Sequence, residues 1–463
     1  MVALTHSDTR AGDTAESSLR LRARVETGLI IAGLLAMFVL LEHGIWGDGR
    51  VRYDMLTALL QRGQLTTAKY SLMGPLFSAP LWYLGKFVES SEWWLARYNV
   101  LVFAAGLLVL YRLLKDRVDR GLLRRFFLLL MVASMFPFHV QTYYGEVFTA
   151  ICVGVGLVAV VVGPSLSGWI AITLGVVNTP ASALALGCVV LKRILDTQRL
   201  RYLLVVVACA VLIVGESWIR RGAPTASNYE PGFTYPLFFG AISLLFSFGA
   251  GILFFAPGLF LPIRSRLSRL REQGMTADLY AVYVLWMIFT ACLVLVYARW
   301  YDWPGGWYWG PRFLLFASIP ASFALAVRLH GRDASLFANI LTALVLLLSC
   351  WVGINGAIFG LTTLNAGFHG YACQPLLTWQ AGICYESPQL SVLWQPFIVA
   401  SELHWNVRAF IAAEQLGTRN FLFGAFSLVV YAYLALPLLR TIAQQTRTLL
   451  ASYARAHLRR FAF

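Results

Sequence analysis

Residues 28–41 read GLIIAGLLAMFVLL, and the polar run GDGRVRYD follows at 47–54. With the residues up to Trp46, this block is long enough to cross a ~30 Å hydrocarbon layer as a helix, because each helical residue rises ~1.5 Å. The sequence therefore predicts an all-α, polytopic membrane protein with about twelve transmembrane helices. Similar blocks recur along the chain and predict helices near 27–46, 95–114, 124–140, 147–163, 167–178, 181–191, 203–219, 236–262, 279–299, 312–328, 337–358 and 420–439.

The composition of the chain agrees with this prediction. Of its 463 residues, 59% are hydrophobic and only 13% are charged, and the mean hydropathy is +0.68. A soluble domain has about a quarter of its residues charged, so a soluble enzyme, a disulfide-rich secreted domain and a disordered chain are excluded. An outer-membrane barrel is also excluded, because its ~10-residue strands would alternate apolar and polar residues.

The basic residues are distributed unevenly between the predicted loops. The chain has 37 Lys and Arg against 22 Asp and Glu, a formal net charge of +15. Positive charge collects in cytoplasmic loops, so the bias predicts cytoplasmic N- and C-termini in a multi-pass protein of the cell inner (plasma) membrane. Nucleic acid is disfavoured as a partner, because no basic face is interleaved with stacking aromatics. The predicted cytoplasmic groups are Arg20, Arg22 and Arg24, then 112–125, 192–201, 264–271 and 440–460.

This topology divides the chain into a cytoplasmic leader at 1–26, a transmembrane domain at 27–439 and a basic cytoplasmic tail at 440–463. The first apolar block follows a polar leader and is long enough to span, so we expect a retained helix rather than a cleaved signal peptide. The prediction places the longer loops, which are rich in acids and aromatics, on the extracytoplasmic face. We expect any catalytic reaction to take place there. These loops are 47–94, 141–146, 220–235, 300–311 and 359–419.

The segment after the first helix holds the first candidate for catalysis. Asp48 stands between Gly47 and Gly49, where the chain leaves the bilayer. From Tyr53 to Arg62 the apolar residues recur at helical spacing, which predicts a helix in the membrane interface. Residues 70–88 are apolar but broken by glycine and proline, and we interpret them as a second interfacial or re-entrant segment. The alternative for Asp48 is an N-cap or turn residue.

Two further external turns carry charged groups beside aromatics. Glu146 follows QTYYG at 141–145, where an unpaired charge at the edge of the hydrocarbon is costly. Its structural alternative is an acid that complements the dipole at a helix start. Arg312 ends the run WYDWPGGWYWGPR at 300–312, and its fork of donors suits a phosphate. Snorkelling to the interface is the structural alternative for Arg312.

The late external loop 359–419 contributes weaker signals. Cys373 and Cys384 both lie in it, and a disulfide between them is compatible with an oxidising compartment. His404 and Arg408 stand near tryptophans that suit stacking on sugar rings, although a histidine in such a place is more often structural. A divalent metal held by Asp48 and Glu146 is left open, since no ligand spacing demonstrates it.

These groups together resemble the integral-membrane glycosyltransferases of the GT-C superfamily. The run GDGR at 47–50 and the amphipathic stretch that ends at 62–63 resemble the acid and interfacial helices that follow helix 1 in these enzymes. The run YGE at 144–146 resembles a second acidic site of several GT-C families, and WGPR at 309–312 is similar to an element of bacterial members. Asp48 stands without the Asp-Glu pair of the protein O-mannosyltransferases, so a protein acceptor is not expected.

The resemblance implies an inverting glycosyltransferase that moves a sugar from a polyprenyl-phosphate donor to an acceptor hydroxyl on a glycan or a lipid-linked acceptor. It implies Asp48 as general base, with Glu146 or Asp54 orienting the acceptor or the sugar. A cation, Arg312 or Arg52, would stabilise the leaving lipid phosphate. The substrate-binding residues implied are Arg50, Arg52, Tyr53, Asp54, Lys69, Tyr144, Trp309, Arg312, His404 and Arg408.

Two other classes of function stay open at this point. An enzyme of the O-antigen ligase or polymerase type relies on external Arg and His in a late loop, which Arg408 and His404 could provide. A lipid-linked-sugar flippase or transporter would place ionisable groups near mid-membrane and show repeated halves. Acids around one external cavity would favour transfer, and acids at mid-bilayer would favour transport.

Overall fold

The computed structural model describes residues 6–163, 165–224, 232–306, 308–331, 334–360, 385–388, 391–394, 396–397 and 418–460. Within these ranges the chain is helical, as predicted, with an isolated backbone bridge between Gly44 and Thr142. The α-helices are α1 (His6–Val39), α2 (Gly47–Arg62), α3 (Met73–Leu84), α4 (Ser91–Ala96), α5 (Tyr98–Leu114), α6 (Arg120–Val132), α7 (Phe136–His139), α8 (Glu146–Val162), α9 (Ser165–Asn178), α10 (Ala183–Thr197), α11 (Leu203–Arg221), α12 (Leu237–Phe246), α13 (Ile252–Phe255), α14 (Arg264–Glu272), α15 (Leu279–Tyr297), α16 (Ser318–His330), α17 (Leu336–Phe359) and α18 (Thr418–Arg460). The 3₁₀ helices lie at Pro180–Ser182, Leu200–Tyr202, Pro257–Phe260 and Arg312–Ala317.

In the described part of the chain, five helical segments are long and apolar enough to cross a membrane. On α11, large apolar side chains such as Leu204 and Ile219 are 69% and 71% exposed. Apolar surface of this kind needs lipid around it, which places the chain in a membrane. The count of about twelve crossings stays a prediction, because other apolar helices are shorter. The five segments are Leu200–Arg221, Leu279–Tyr297, Arg312–His330, Leu336–Phe359 and Arg419–Arg455.

Helices α8 and α9 pack closely because glycines face each other between them. A Cβ at Gly156 would lie 2.7 Å from the carbonyl oxygen of Gly168, and a Cβ at Gly168 would lie 2.8 Å from that of Gly156. Small residues at such positions let two helix backbones approach each other in a membrane. The pair therefore brings Glu146, at the start of α8, to the same end as Asn178, at the end of α9.

The predicted helix at 124–140 is interrupted, which corrects the prediction. It divides into α6 and α7, with a break at Ala133. The ring of Pro137 would clash with the carbonyl four residues earlier in a continuous helix. The Ser134 hydroxyl accepts a hydrogen bond from the Phe136 amide at 3.1 Å and replaces the lost helical bond.

The predicted helix at 236–262 is also broken, into α12, α13 and a 3₁₀ turn. Two glycines and a proline explain the break, since each disfavours a continuous helix. The Gly249 amide donates to the Tyr385 carbonyl at 2.7 Å rather than to its own helix. The predicted helix at 312–328 likewise starts as a 3₁₀ turn, because Leu314 has φ −105° and ψ 18°.

The predicted domain boundaries at 26/27 and 439/440 fall inside continuous helices. Helix α1 begins at His6, within the predicted leader, and α18 continues to Arg460, through most of the predicted tail. The predicted first external loop contains α2 and α3 where the two interfacial segments were predicted. Helix α2 begins earlier than expected, at Gly47, so Asp48 lies in its first turn and Trp46 is its N-cap.

Asn178 joins the elements that surround the candidate site. Its Nδ2 donates to the Gly145 carbonyl and to Thr149 Oγ1, both at 2.9 Å. Its Oδ1 accepts from the Gly74 amide at 3.1 Å and from Arg52 Nη1 at 3.4 Å. Since the side chain is only 2% exposed, these bonds tie α2, α3 and α8 to the end of α9 in a dry environment.

We predict that Asn178→Ala destabilises the fold by about 1–3 kcal/mol, because it leaves buried donors and acceptors without partners. The measurement is the thermal unfolding midpoint of the purified protein in detergent. Gln444→Ala, which removes an exposed amide from α18, is the control. Equal midpoints for Asn178→Ala, the control and the wild type would contradict the assignment.

Candidate functional site

Arg312 forms ion pairs with two acids that are far apart in the sequence. Its Nη2 lies 2.9 Å from Asp48 Oδ2, and its Nε lies 3.8 Å from Glu146 Oε1. The three side chains are mostly buried, with 14%, 25% and 17% exposed for Arg312, Asp48 and Glu146. The three predicted groups from separate segments therefore meet in one cluster, at the start of α2, the start of α8 and the approach to α16.

Aromatic rings surround the guanidinium of Arg312. Its Cζ lies 5.7 Å from the Tyr144 ring centroid, 5.2 Å from that of Tyr308 and 4.9 Å from that of Phe313. The Tyr308 hydroxyl is fixed at 3.1 Å from Thr142 Oγ1. Cation–π contacts of this kind hold the guanidinium in place. Burial raises the pKa of Tyr144 to about 12, so its hydroxyl stays protonated at neutral pH.

Two glycines give the chain the room that this cluster needs. Gly47 has φ +48°, and a Cβ there would lie 2.7 Å from the Tyr144 hydroxyl. Gly305 has φ +95°, and a Cβ there would lie 2.8 Å from Arg312 Cγ. Both positions combine a left-handed backbone with a close approach, so other residues would displace Tyr144 or Arg312.

Trp309, predicted to contact substrate, is placed in the core. Its side chain is fully buried, and its Nε1 donates to Asn355 Oδ1 at 2.8 Å. Its ring packs against Phe138 and Phe255 at centroid distances of 5.1 and 5.3 Å. Trp309 therefore anchors the loop before Arg312 on α17.

The electrostatic environment keeps Asp48 ionised. Burial alone would raise the pKa of Asp48, but the charge of Arg312, a hydrogen bond from Tyr70 and the charge of Arg52 bring it below the ordinary value. An acid with a lowered pKa stabilises the folded state above its unfolded pKa, and that stabilisation is lost as the pH falls through the folded pKa. At neutral pH the ion pair with Arg312 is therefore fully formed.

Asp302 is an acid that the sequence reading did not select. Burial raises the pKa of Asp302, the charge of Asp48 adds to this, and a hydrogen bond from the Gly306 backbone and the charge of Arg312 oppose it. The site thus contains two carboxylates whose pKa values are shifted in opposite directions, an arrangement suited to acid–base chemistry. The sequence analysis used the run 300–312 only for Arg312, although the place of Asp302 before Gly305-Gly306 was a usable signal.

Arg52, Lys69 and Tyr70 line the neighbouring side of Asp48. Arg52 is 8% exposed and donates to the Ser71 carbonyl at 3.3 Å. The Tyr70 ring lies between cations, with Arg52 Cζ at 4.9 Å and Lys69 Nζ at 5.3 Å from its centroid. Lys69 is exposed, and its charge acts on Asp302. The structure therefore brings two predicted residues and the unpredicted Tyr70 to the site.

Arg50, Tyr53 and Asp54 are placed on a different face of α2. Arg50 pairs with Asp54 at 3.2 Å and with Glu92 at 3.3 Å, and the three charged side chains are 51–59% exposed. The Arg50 guanidinium also lies 5.1 Å from the Tyr53 ring centroid. These contacts join α2 to α4 rather than to Arg312, and the roles of the three residues in substrate binding stay predictions.

The loop that carries Lys69 and Tyr70 is fastened to the last turns of α11. Arg220 donates to the carbonyls of Thr66 at 3.1 Å, Ala68 at 2.9 Å and Tyr70 at 2.7 Å. Glu216 accepts from the Ser71 hydroxyl at 2.7 Å and from the Leu72 amide at 2.6 Å. These bonds hold Tyr70 against Asp48, and they could not be predicted from the sequence because α11 is distant along the chain.

A divalent ion is not favoured between the two acids. The guanidinium of Arg312 already pairs with both Asp48 and Glu146. Across the described residues, no three His, Cys, Asp or Glu side chains come together as metal ligands. His404, Arg408, Cys373 and Cys384 lie outside the described residues, so the predicted disulfide and late-loop contacts stay predictions.

We predict that Gly305→Ala is more destabilising than Gly274→Ala. Both glycines have nearly the same φ, +95° and +97°, but a Cβ at Gly274 would meet nothing within 4 Å. Each substitution adds ~1–3 kcal/mol of backbone strain, and only Gly305→Ala also displaces Arg312. Thermal unfolding midpoints of the two variants test this, and equal losses would contradict the close approach at Arg312.

Two solved structures are similar to this chain over most of its length. One is a crystal structure of ArnT from Cupriavidus metallidurans bound to undecaprenyl phosphate, where the match covers 88% of this chain and 77% of that chain. The other is ArnT from the same organism in the apo state, with 91% and 78% covered. No protein-family model and no curated protein matches the sequence. Each of the two structures is 14% identical to this chain, with a TM-score of 0.48, so the likeness carries no argument about family or reaction.

Proposed function

We propose that the protein is an inverting glycosyltransferase that moves a sugar from a polyprenyl-phosphate donor to an acceptor hydroxyl on the extracytoplasmic face. The observation that supports this most is the buried Arg312, which pairs with Asp48 at 2.9 Å and approaches Glu146 at 3.8 Å. A cation and carboxylates in one cluster are what such a transfer needs, because a phosphate must leave while a hydroxyl loses its proton.

The proposed step is a displacement at the anomeric carbon of the donor sugar. The acceptor oxygen attacks the anomeric carbon of the sugar, and its proton passes to the carboxylate of Asp48. The bond between that carbon and the phosphate oxygen breaks, and the electron pair leaves with the lipid phosphate. Attack opposite the leaving group inverts the anomeric configuration. Arg312 stabilises the negative charge that develops on the phosphate, because its planar guanidinium can donate two hydrogen bonds to phosphate oxygens.

Arg312 links donor binding to the basicity of Asp48. In the free protein its charge is a cause of the lowered pKa of Asp48, which makes that carboxylate a weak base. A phosphate that takes up the Arg312 donors would weaken the pair with Asp48. The pKa of Asp48 would then rise towards neutrality in the complex, where a general base works best.

Glu146 is suited to orient a sugar or acceptor hydroxyl. Its Oε2 is buried and has no hydrogen-bond partner among the described residues. A buried carboxylate oxygen without a hydrogen-bond partner destabilises the protein, so it readily accepts a hydrogen bond from a hydroxyl group.

Undecaprenyl phosphate, which one of the two similar crystal structures contains, belongs to the proposed class of lipid.

The position of the acids favours transfer over transport. Asp48 lies in the first turn of α2, and Glu146 is the first residue of α8. Asp302 lies in the loop between α15 and the turn at Arg312–Ala317. A transporter would be expected to hold ionisable groups near mid-membrane, within its helices. Asp48 and Glu146 instead lie in the first turns of their helices and Asp302 lies in a loop, and the charges of all three act on or respond to Arg312.

We predict that Asp48→Asn lowers the transfer rate by about 10²–10⁴-fold, the usual contribution of a positioned general base. The assay uses purified protein with a panel of lipid-phosphate sugars and measures the release of free polyprenyl phosphate. The control is Asp116→Asn, because the Asp116 side chain is 66% exposed and pairs with Arg120. Turnover within a few-fold of wild type in Asp48→Asn would remove Asp48 from the role of base.

The pH dependence separates Asp48 from Asp302 as the base. We predict that kcat/KM, which reports the free enzyme, is lost only below about pH 4, because the pKa of Asp48 is lowered from ~3.9. The kcat profile, which reports the complex, should fall at a higher pH, because the donor phosphate draws Arg312 away. An acid limb of kcat/KM above about pH 4 that disappears in Asp302→Asn would assign the base to Asp302 instead.

A further inference from the structure

A cluster of arginines lies near the end of α16 that is remote from Arg312. Glu26 of α1 is fully buried and accepts hydrogen bonds from Arg22 at 3.1 Å, from Arg124 at 2.6 Å and from the Tyr433 hydroxyl at 3.0 Å. Arg125 Nε lies 4.0 Å from the same carboxylate. One acid therefore faces three guanidinium groups, so the cluster has an excess of positive charge.

A small recess that opens to the surface adjoins this cluster. Three arginines line it, one each from α1, α6 and α16, and among the described residues that line it there is no acid. From Arg312 to Arg328 the chain rises about 24 Å along the 3₁₀ turn and α16, so the recess is separate from the candidate site. Its lining residues are Arg22, Arg125, Arg328, Leu329, Gly331, Leu434, Pro437 and Leu438.

Within the described residues, the hydrogen bonds of the two buried recess arginines involve only part of each guanidinium. Arg125 Nη1 donates to the Leu329 carbonyl at 3.1 Å. Arg328 donates through Nε to Thr342 Oγ1 at 3.2 Å and through Nη2 to the Ala338 carbonyl at 3.0 Å. Each guanidinium has five N–H donors in a planar fork. These bonds fix the orientation of the arginines and leave part of each fork to the recess.

Like charges so close together are costly when they are buried. Arg125 and Arg328 are each only 8% exposed, and Glu26 is already shared between Arg22, Arg124 and Arg125. An uncompensated buried charge destabilises a protein unless a counter-charge accompanies it. An anion with several oxygens would satisfy the open donors and the excess charge at once.

The remaining wall of the recess indicates where this anion comes from. Leu434, Pro437 and Leu438 of α18 line it, and the neighbouring Leu436 and Leu439 are 50% and 48% exposed. The recess therefore opens beside an apolar surface of a helix long enough to span the membrane. A lipid could place its phosphate among the arginines while its chains lie along α18, as in other basic pockets between transmembrane helices.

We propose that this recess binds the phosphate headgroup of an anionic membrane lipid. The site is formed by Arg22, Arg125 and Arg328 and closed on the membrane side by α18. It is independent of the proposed transferase activity. Its ligand has the same phosphate chemistry as inorganic phosphate, so the test must separate these two sources.

The test measures the thermal stabilisation of the full-length protein by phosphatidylglycerol, with phosphatidylcholine and inorganic phosphate as the other arms. We expect phosphatidylglycerol, and neither of the other two, to stabilise the wild type. Arg22→Gln should weaken the apparent affinity for phosphatidylglycerol about fivefold, because one basic residue near a membrane surface contributes ~1 kcal/mol. Arg22 is chosen because it is less buried than Arg125 and Arg328. Arg24→Gln, which removes the same charge from an exposed position two residues away on α1, should keep the wild-type affinity.

Equal weakening in Arg22→Gln and Arg24→Gln would show general attraction to anionic lipid and would overturn the proposal. Equal stabilisation by inorganic phosphate and phosphatidylglycerol would overturn the assignment to a lipid. Arg328→Gln offers a second variant if Arg22→Gln fails to fold, with the same expected loss. Copurified phosphatidylglycerol, counted by native mass spectrometry, should be present on the wild type and depleted on both recess variants.

Discussion

The buried guanidinium of Arg312 is the constraint on which the rest of the site depends. A positive charge that is only 14% exposed needs counter-charges, and Asp48 and Glu146 supply them from two other segments. That requirement fixes the ends of α2 and α8 against the approach to α16. The glycines at 47 and 305 follow from the same requirement, because the backbone must pass close to Tyr144 and Arg312.

The helices around this cluster serve mainly to bring its parts to one end of the bundle. The glycine contacts between α8 and α9 place Glu146 beside Asn178, which then joins Arg52 and the start of α3. Arg220 and Glu216 of α11 hold the loop with Tyr70 against Asp48. The resulting site combines a dry, rigid set of carboxylates with one shared cation, which accounts for the opposite pKa shifts of Asp48 and Asp302.

The sequence predicted individual site residues better than the contacts between them. Asp48, Glu146 and Arg312 were identifiable because each is a charge at the edge of an apolar block. Asp302 was missed among its aromatic neighbours, and Asn178 and Arg220 were missed because their contacts join distant segments. The helices at 124–140 and 236–262 were predicted as continuous from hydropathy alone, which registers apolar length but not the interruptions at Pro137, Gly249 and Gly251.

The central claim is that Arg312 exchanges its bond to Asp48 for a bond to the donor phosphate. An electron cryomicroscopy map of the protein with bound polyprenyl phosphate tests it most directly. The account predicts phosphate oxygens at about 2.7–2.9 Å from the Arg312 guanidinium, with Asp48 released from its 2.9 Å contact and open to an acceptor. A phosphate bound elsewhere, with Arg312 still paired to Asp48, would contradict it.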